Sequence, residues 1–155
     1  MEDLFLKLIE ENGKMSAQDV KQMAPLVLAY MGDAIFEVYI RNYLIHKKQV
    51  SVNFLHKAAT SYVKAKAQAE IVHHLEPLLT EEEWTAVKRG RNQKSATVPK
   101  NADLTDYQYA TGFEALLGYL YYLGNTQRLL EIMALSVSFI NEGTKPLAGK
   151  EQNNE

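Results

Sequence analysis

The sequence predicts an all-α protein built as a single domain, and three observations carry that prediction. Apolar residues recur at helical spacing almost throughout, and no stretch alternates apolar and polar residues as a half-buried strand would. Helix-start and helix-stop residues punctuate these stretches at sensible intervals. The chain has 155 residues, enough to bury a real core in one domain, and neither an internal repeat nor a linker between two cores divides it.

The elements follow in order. Met1 to Asn12 carries Leu4, Phe5, Leu8 and Ile9 at helical spacing, with Gly13 as its stop. Ser16 with Asp19 three residues on resembles a capping box. Pro25 suits the first turn of the next helix, expected to run to about His46. From Leu26 to Phe36 this helix is apolar nearly all round, so it belongs in the core or in an interface. Ser51 is a plausible cap for a long helix reaching Leu75, with Pro77 just beyond. Thr80 and Glu83 form a second capping box, opening a short helix that Gly90 should end. Arg91 to Leu104 has no periodicity and reads as a polar, basic loop. An apolar helix spans roughly Thr105 to Leu123. After Gly124, Asn125 can cap a last helix through Ile140, with Gly143 past its end. Residues 145–155 have a composition that predicts disorder.

Composition narrows the classes. Without cysteine there is no disulfide framework and no thiolate metal site, in keeping with a reducing, cytosolic setting. No stretch is long and charge-free enough to span a membrane, and Met1-Glu2-Asp3 is acidic where a signal peptide would be basic. The expected location is the cytoplasm. A net charge of −2 does not by itself suggest a nucleic-acid binder. The distribution is more telling: Lys88, Arg89, Arg91, Lys94 and Lys100 lie in a stretch without any acid.

Two acids stand out. Asp33 interrupts the apolar run from Leu26 to Phe36, and Glu114, about eighty residues later, interrupts the run from Ala110 to Gly118. An ionised carboxylate in an apolar setting is costly, so it needs a partner, a proton or a metal. If the two helices cross near these points, both acids can share a divalent cation. Oxygen ligands suit Mg²⁺, which keeps several waters and binds through one or two carboxylates. A metal there can activate water and stabilise charge on a phosphate. The residues alone leave open a plainer alternative, in which each acid is satisfied by backbone N–H groups or an arginine.

The wording of the two segments goes further. Tyr30-Met31-Gly32-Asp33-Ala34-Ile35 resembles the signature helix of the ribonuclease III family around its catalytic Asp. Phe113-Glu114-Ala115-Leu116-Leu117-Gly118 resembles the second signature around its catalytic Glu. The intervening segment from Ser61 to Glu70 looks like that family's third helix. The resemblance covers roughly Pro25 to Gly143. Ordinary members carry two more acids where this chain has Ala29 and Thr111, and a further Glu where it has Leu26. There is also no room for a C-terminal double-stranded-RNA-binding domain. That combination, with Lys88-Arg89-Gly90-Arg91-Asn92 and Pro99-Lys100-Asn101, resembles the short bacterial Mini-ribonuclease III subfamily.

The resemblance implies a ribonuclease III endonuclease-domain-like helical bundle: an N-terminal helical extension over 1–24, the catalytic domain over 25–143 and a disordered tail over 144–155. It implies an Mg²⁺-dependent endoribonuclease that cleaves double-stranded RNA and matures the 5′ and 3′ ends of a 23S ribosomal RNA precursor. Asp33 and Glu114 would be both the catalytic and the metal-binding residues. A homodimer through the signature helix is implied as well, with an assembling large subunit or one of its proteins as a further partner. The alternative is a catalytically inactive helical dimer that binds structured RNA, because Ala29 and Thr111 replace two acids.

RNA contact is expected from Lys88, Arg89, Arg91, Asn92, Lys94 and Lys100, with Gly90 allowing close backbone approach. The competing reading is a solvated face at a helix C-terminus, where basic residues are favourable anyway. Lys66 can face RNA or simply be an exposed helix lysine. Glu37 and Arg41, four apart, suit an ion pair. His73 and His74 are adjacent, hence on different faces and not a metal pair. Tyr107, Tyr109, Tyr119, Tyr121 and Tyr122 are expected mostly in core or dimer contacts.

Overall fold

The structure, a computed structural model, describes residues 7, 10, 15–47, 51–94, 100 and 103–144. The expected first helix, most of the loop around Pro99 and the tail lie outside the described residues. Within them the protein is all-α, without a strand. The helices are α1 (Ala17–Gln22), α2 (Pro25–Lys47), α3 (Val52–Val63), α4 (Ala65–Leu75), α5 (Glu81–Arg91), α6 (Leu104–Tyr122) and α7 (Thr126–Thr144), with a 3₁₀ turn at Glu76–Leu78 between α4 and α5.

Both capping boxes form. Ser16 accepts from the Asp19 amide and Thr80 from the Glu83 amide, and each acid reaches back to its cap. These motifs act over three residues, which is why local sequence is enough to specify them.

The long helix expected from Ser51 to Leu75 is instead two. Lys64 leaves helical geometry, with ψ near 152°, and separates α3 from α4. An unbroken helix of that length would be roughly 36 Å long. The break lets α3 lie on α2 while α4 turns to pack on α6. Neither Gly nor Pro marks it; tertiary packing imposes it.

Helix α6 is the centre of the molecule. Phe113, Ala115, Leu116, Leu117 and Leu120 are fully or almost fully buried, and α2, α4 and α5 pack around them. Phe36 of α2 meets Phe113 edge to face, with centroids 5.1 Å apart. Gly90 does not end α5 and does not serve an approaching ligand. It is buried inside the helix, and a Cβ there would crowd Gly112 and Ala115 of α6.

Polar ties fasten the periphery. The Tyr62 hydroxyl donates to Asn141 at 2.6 Å, and the Asn141 amide donates to Tyr43 at 2.7 Å, joining α3, α7 and α2. Arg128 of α7 grips the Glu83 carboxylate of α5 at 2.8 and 2.9 Å and also donates to the Leu78 carbonyl.

Candidate active site

The site begins with a helix crossing. A Cβ at position 32 would overlap the backbone carbonyl of Glu114, and one at 118 would overlap that of Leu28. Helices α2 and α6 therefore touch backbone to backbone, antiparallel, through one glycine from each. Such approach is open only to residues without a side chain. Gly32 and Gly118 thus bring the signature segments together, with Asp33 beside the contact on one helix and Glu114 at it on the other.

Asp33 is more exposed than its apolar neighbours suggested. Helix α2 is buried on the side of Leu28, Gly32, Phe36 and Ile40, and bare along Leu26, Val27, Tyr30, Asp33 and Val38. Tyr30 is 82% exposed. The helix is apolar all round, yet only one side of it is core in a single chain.

Glu114 is half-buried, facing the α2–α4 side of α6. Burial is the main force on its carboxyl, and the negative charge of Asp33 comes next; together with Glu37 they push it up to about 8. The Gln68 amide beside it works the other way. Partial burial raises Asp33 too, with the charge of Glu37 adding to it. Glu37, one turn beyond Asp33, is held by Arg41 at 3.2 Å, as its spacing predicted. Among the described residues, no arginine or lysine forms an ion pair with Asp33 or Glu114.

Such a donor set fits a hard divalent cation. Carboxylates crowded enough to raise one another gain most from a shared positive charge. No three histidine, cysteine or carboxylate side chains converge as a metal cluster among the described residues. Asp33 and Glu114 thus offer two carboxylates, a donor set that would suit an ion that keeps much of its water.

Gln68 was not foreseen. It is 1% exposed, lies on α4 against Glu114, and leaves its Oε1 buried without a hydrogen-bond partner. An orphaned buried acceptor costs about 1–3 kcal/mol. The signal was present in the sequence: a polar residue among Ala65, Ala67 and Ala69, beside the apolar stripe.

The positions of the absent family acids are now visible. Ala29 is buried, and the Thr111 hydroxyl donates to the Tyr107 carbonyl at 3.0 Å. Leu26 and Thr111 line a cleft of about 510 Å³ with Asn92, Gln93, Lys94 and Tyr107.

The basic residues divide. Lys66, Lys94 and Lys100 are exposed, and Lys88 is half-buried. The Arg91 guanidinium sits 5.5 Å from the Tyr109 ring centroid, and its Nε donates to Asn92. Arg89 donates to the backbone carbonyls of Lys21 at 2.7 Å and Met23 at 3.3 Å, so it fastens α5 to the C-terminal end of α1. His73 packs on Tyr109 and His74 stacks on Phe139, on different faces as expected. Tyr119 is buried.

A family model described as the ribonuclease III domain matches residues 26–125. The chain belongs to this family. Within it, the chain falls among the short members. A Mini-ribonuclease 3 from Thermoanaerobacter sp. is 49% identical over 142 residues, covering 92% of this chain and 100% of the relative. One from Clostridium tetani is 49% identical, covering 85% and 88%. A crystal structure of a Fusobacterium nucleatum protein superposes with a TM-score of 0.70 at 31% identity, covering 77% of this chain and 96% of that one. The matched stretch contains both Asp33 and Glu114.

Proposed function

We propose that this protein is an Mg²⁺-dependent endoribonuclease that hydrolyses phosphodiester bonds in double-stranded RNA. The observation that carries the reading is the carboxylate pair, Asp33 and Glu114, brought together by two glycines in a ribonuclease III-family chain. Asp33 and Glu114 hold the cation. When bound, the ion supplies Lewis-acid stabilisation of charge on the scissile phosphate. The two carboxylates fix its place against the rigid α2–α6 crossing, and the exposed position of Asp33 leaves the site open to a large substrate.

Lys66, Lys88, Arg91, Asn92, Lys94 and Lys100 provide donors for the RNA backbone, and Arg89 adds charge while anchoring α5. Duplex RNA is recognised mainly by shape through phosphates and 2′-hydroxyls, which suits scattered donors more than a deep pocket. The bare stripe of α2 through Leu26, Val27, Tyr30 and Val38 supports a homodimer, one site cutting each strand. The substrate is the 23S ribosomal RNA precursor, cut at stems bounding its 5′ and 3′ ends, in the cytoplasm. A net charge of −2 makes for weak RNA affinity alone, so an assembling large subunit or one of its proteins is the natural helper.

The deciding experiment is cleavage of a 23S precursor stem by wild type and Asp33→Asn, each with Mg²⁺ and with EDTA. Wild type cuts only with Mg²⁺. The variant folds, binds the duplex and loses at least about a thousandfold in rate, in line with removal of a group central to the chemistry. Cleavage by Asp33→Asn at the wild-type rate would refute the reading.

A further inference from the structure

The amide of Gln68 is a misfit where it stands. Its neighbours Ala67, Ala69, Ile71 and Val72 are buried apolar residues of α4, and it is itself 1% exposed. A leucine or methionine would fill the same space with nothing left unsatisfied. The Gln68 side chain lies beside Glu114 and draws its carboxyl toward the ionised form, while its Oε1 has no partner. An amide acts on a carboxyl in that direction through its donor, Nε2. The amide turns its donor toward the carboxylate at the expense of its own acceptor. That is the orientation expected if the carboxylate, and not the core, is what the residue serves.

We infer that Gln68 is a positioning residue: its buried amide N–H fixes the Glu114 carboxylate beside Asp33, so that the pair is preorganised for a divalent cation. Carboxylates that bind metals are commonly held by a hydrogen bond from behind, and loss of that bond weakens metal affinity or activity about 10- to 100-fold. Here the holding group comes from α4, a third helix, so the site depends on three elements packed together and not only on the α2–α6 crossing. The break at Lys64 now has a use. It frees α4 to run along α6, which brings Gln68 to Glu114 and His73 to Tyr109. The inference rests on the metal-dependent reading above.

The test uses Gln68→Met and Gln68→Glu in the full chain, with Asp33→Asn beside them. Methionine keeps the volume and removes the hydrogen bond. In metal-free buffer Gln68→Met should melt at or above the wild-type temperature, because the orphaned acceptor is gone. Its kcat on duplex RNA should fall about 10- to 100-fold with KM unchanged. Without RNA, Mn²⁺ raises the melting temperature of wild type, and the half-effective concentration should move about tenfold upward in Gln68→Met. Gln68→Glu should be worse than Gln68→Met, since a carboxylate there repels Glu114. Three results would overturn the inference. Wild-type kcat and Mn²⁺ response in Gln68→Met would make the amide idle. A lower metal-free melting temperature, with activity lost in step, would make it a core residue only. Better activity in Gln68→Glu than in Gln68→Met would place residue 68 on the metal itself. Should Asp33→Asn cut like wild type, the functional reading fails, whatever Gln68 does.

Discussion

Two glutamates, Glu83 and Glu114, are both packed into this fold and treated in opposite ways. Glu83 is 5% exposed, gripped by Arg128 and by its own capping box. The Arg128 hydrogen bond is the main reason its carboxyl is held below the ordinary range, against the opposing effect of burial. Glu114 has no such arginine; burial first, and then the charges of Asp33 and Glu37, push it up to about 8. A buried carboxylate that only joins helices is neutralised from within. Glu114 is left short of positive charge, as the proposed cation-binding role requires. The difference separates the two acids more sharply than burial does.

The largest effect expected from this contrast lies at the structural end. Arg128→Ala strands the Glu83 carboxylate, and removing one partner of a buried pair costs about 3–5 kcal/mol. Arg128 keeps some solvent contact, with its side chain 21% exposed, so the lower end applies. A fall of roughly 10 °C in melting temperature follows for a chain of this size. The double variant Glu83→Gln/Arg128→Met should recover much of it, since no charge is then left buried. Calorimetry or a thermal melt decides. A loss under about 2 °C in the single variant would mean that the pair behaves as a surface contact, and the comparison would collapse.

How much of this could be read beforehand depends on the distance over which each interaction acts. Both capping boxes and the Glu37–Arg41 pair act within one helical turn, and they appear as read. Asp33 and Glu114 were legible because charge in an apolar run is anomalous at any distance. The Glu83–Arg128 pair spans 45 residues, and no local pattern encodes it. The split of the expected helix at Lys64 was invisible for a related reason: the packing of α4 against α6 causes it, not a helix-breaking residue. Arg89 was read from its charge as an RNA contact, but its donors also meet the Lys21 and Met23 carbonyls, a fact of the assembled fold. Gln68 is legible in the same way, since a lone amide in an alanine-rich stripe is as anomalous as a lone acid in an apolar run.

The second effect concerns pH, and the two glutamates carry opposite signs. Glu114 has a folded pKa near 8 against about 4.5 unfolded, so the folded state binds more protons between those values. Metal-free stability therefore falls as pH rises from about 5 to 8 and levels off above, by on the order of 3 kcal/mol. Glu83, held low, contributes stability that is present above its unfolded value and is lost as pH falls through its folded one. Urea unfolding in EDTA, measured from pH 4 to 9, should thus show Glu114→Gln nearly flat between about 5 and 8, and more stable than wild type at pH 8. The same variant should cut no RNA. If wild type and Glu114→Gln run parallel over that window, Glu114 is not the strained acid that the comparison requires.

The smallest effect falls on Glu37, which stands between the two cases. Arg41 pairs with it at 3.2 Å, yet its charge also reaches Asp33 and Glu114 and raises both. Glu37→Gln removes an exposed ion pair four residues apart, a loss of about 0.3–0.5 kcal/mol. It also relieves repulsion on two carboxylates, a gain that grows as they ionise. At pH 5.5, where Glu114 is neutral, the loss dominates and the variant is slightly less stable than wild type. By pH 8 the gain has grown, and the two should come within a few tenths of a kcal/mol. The Glu37→Gln/Glu114→Gln cycle isolates the coupling, because the pH-dependent part should vanish once Glu114 can no longer ionise. A Glu37→Gln effect that is the same at both pH values, with or without Glu114, would assign Glu37 to Arg41 alone. The acidic site would then consist of Asp33 and Glu114 without a third charge.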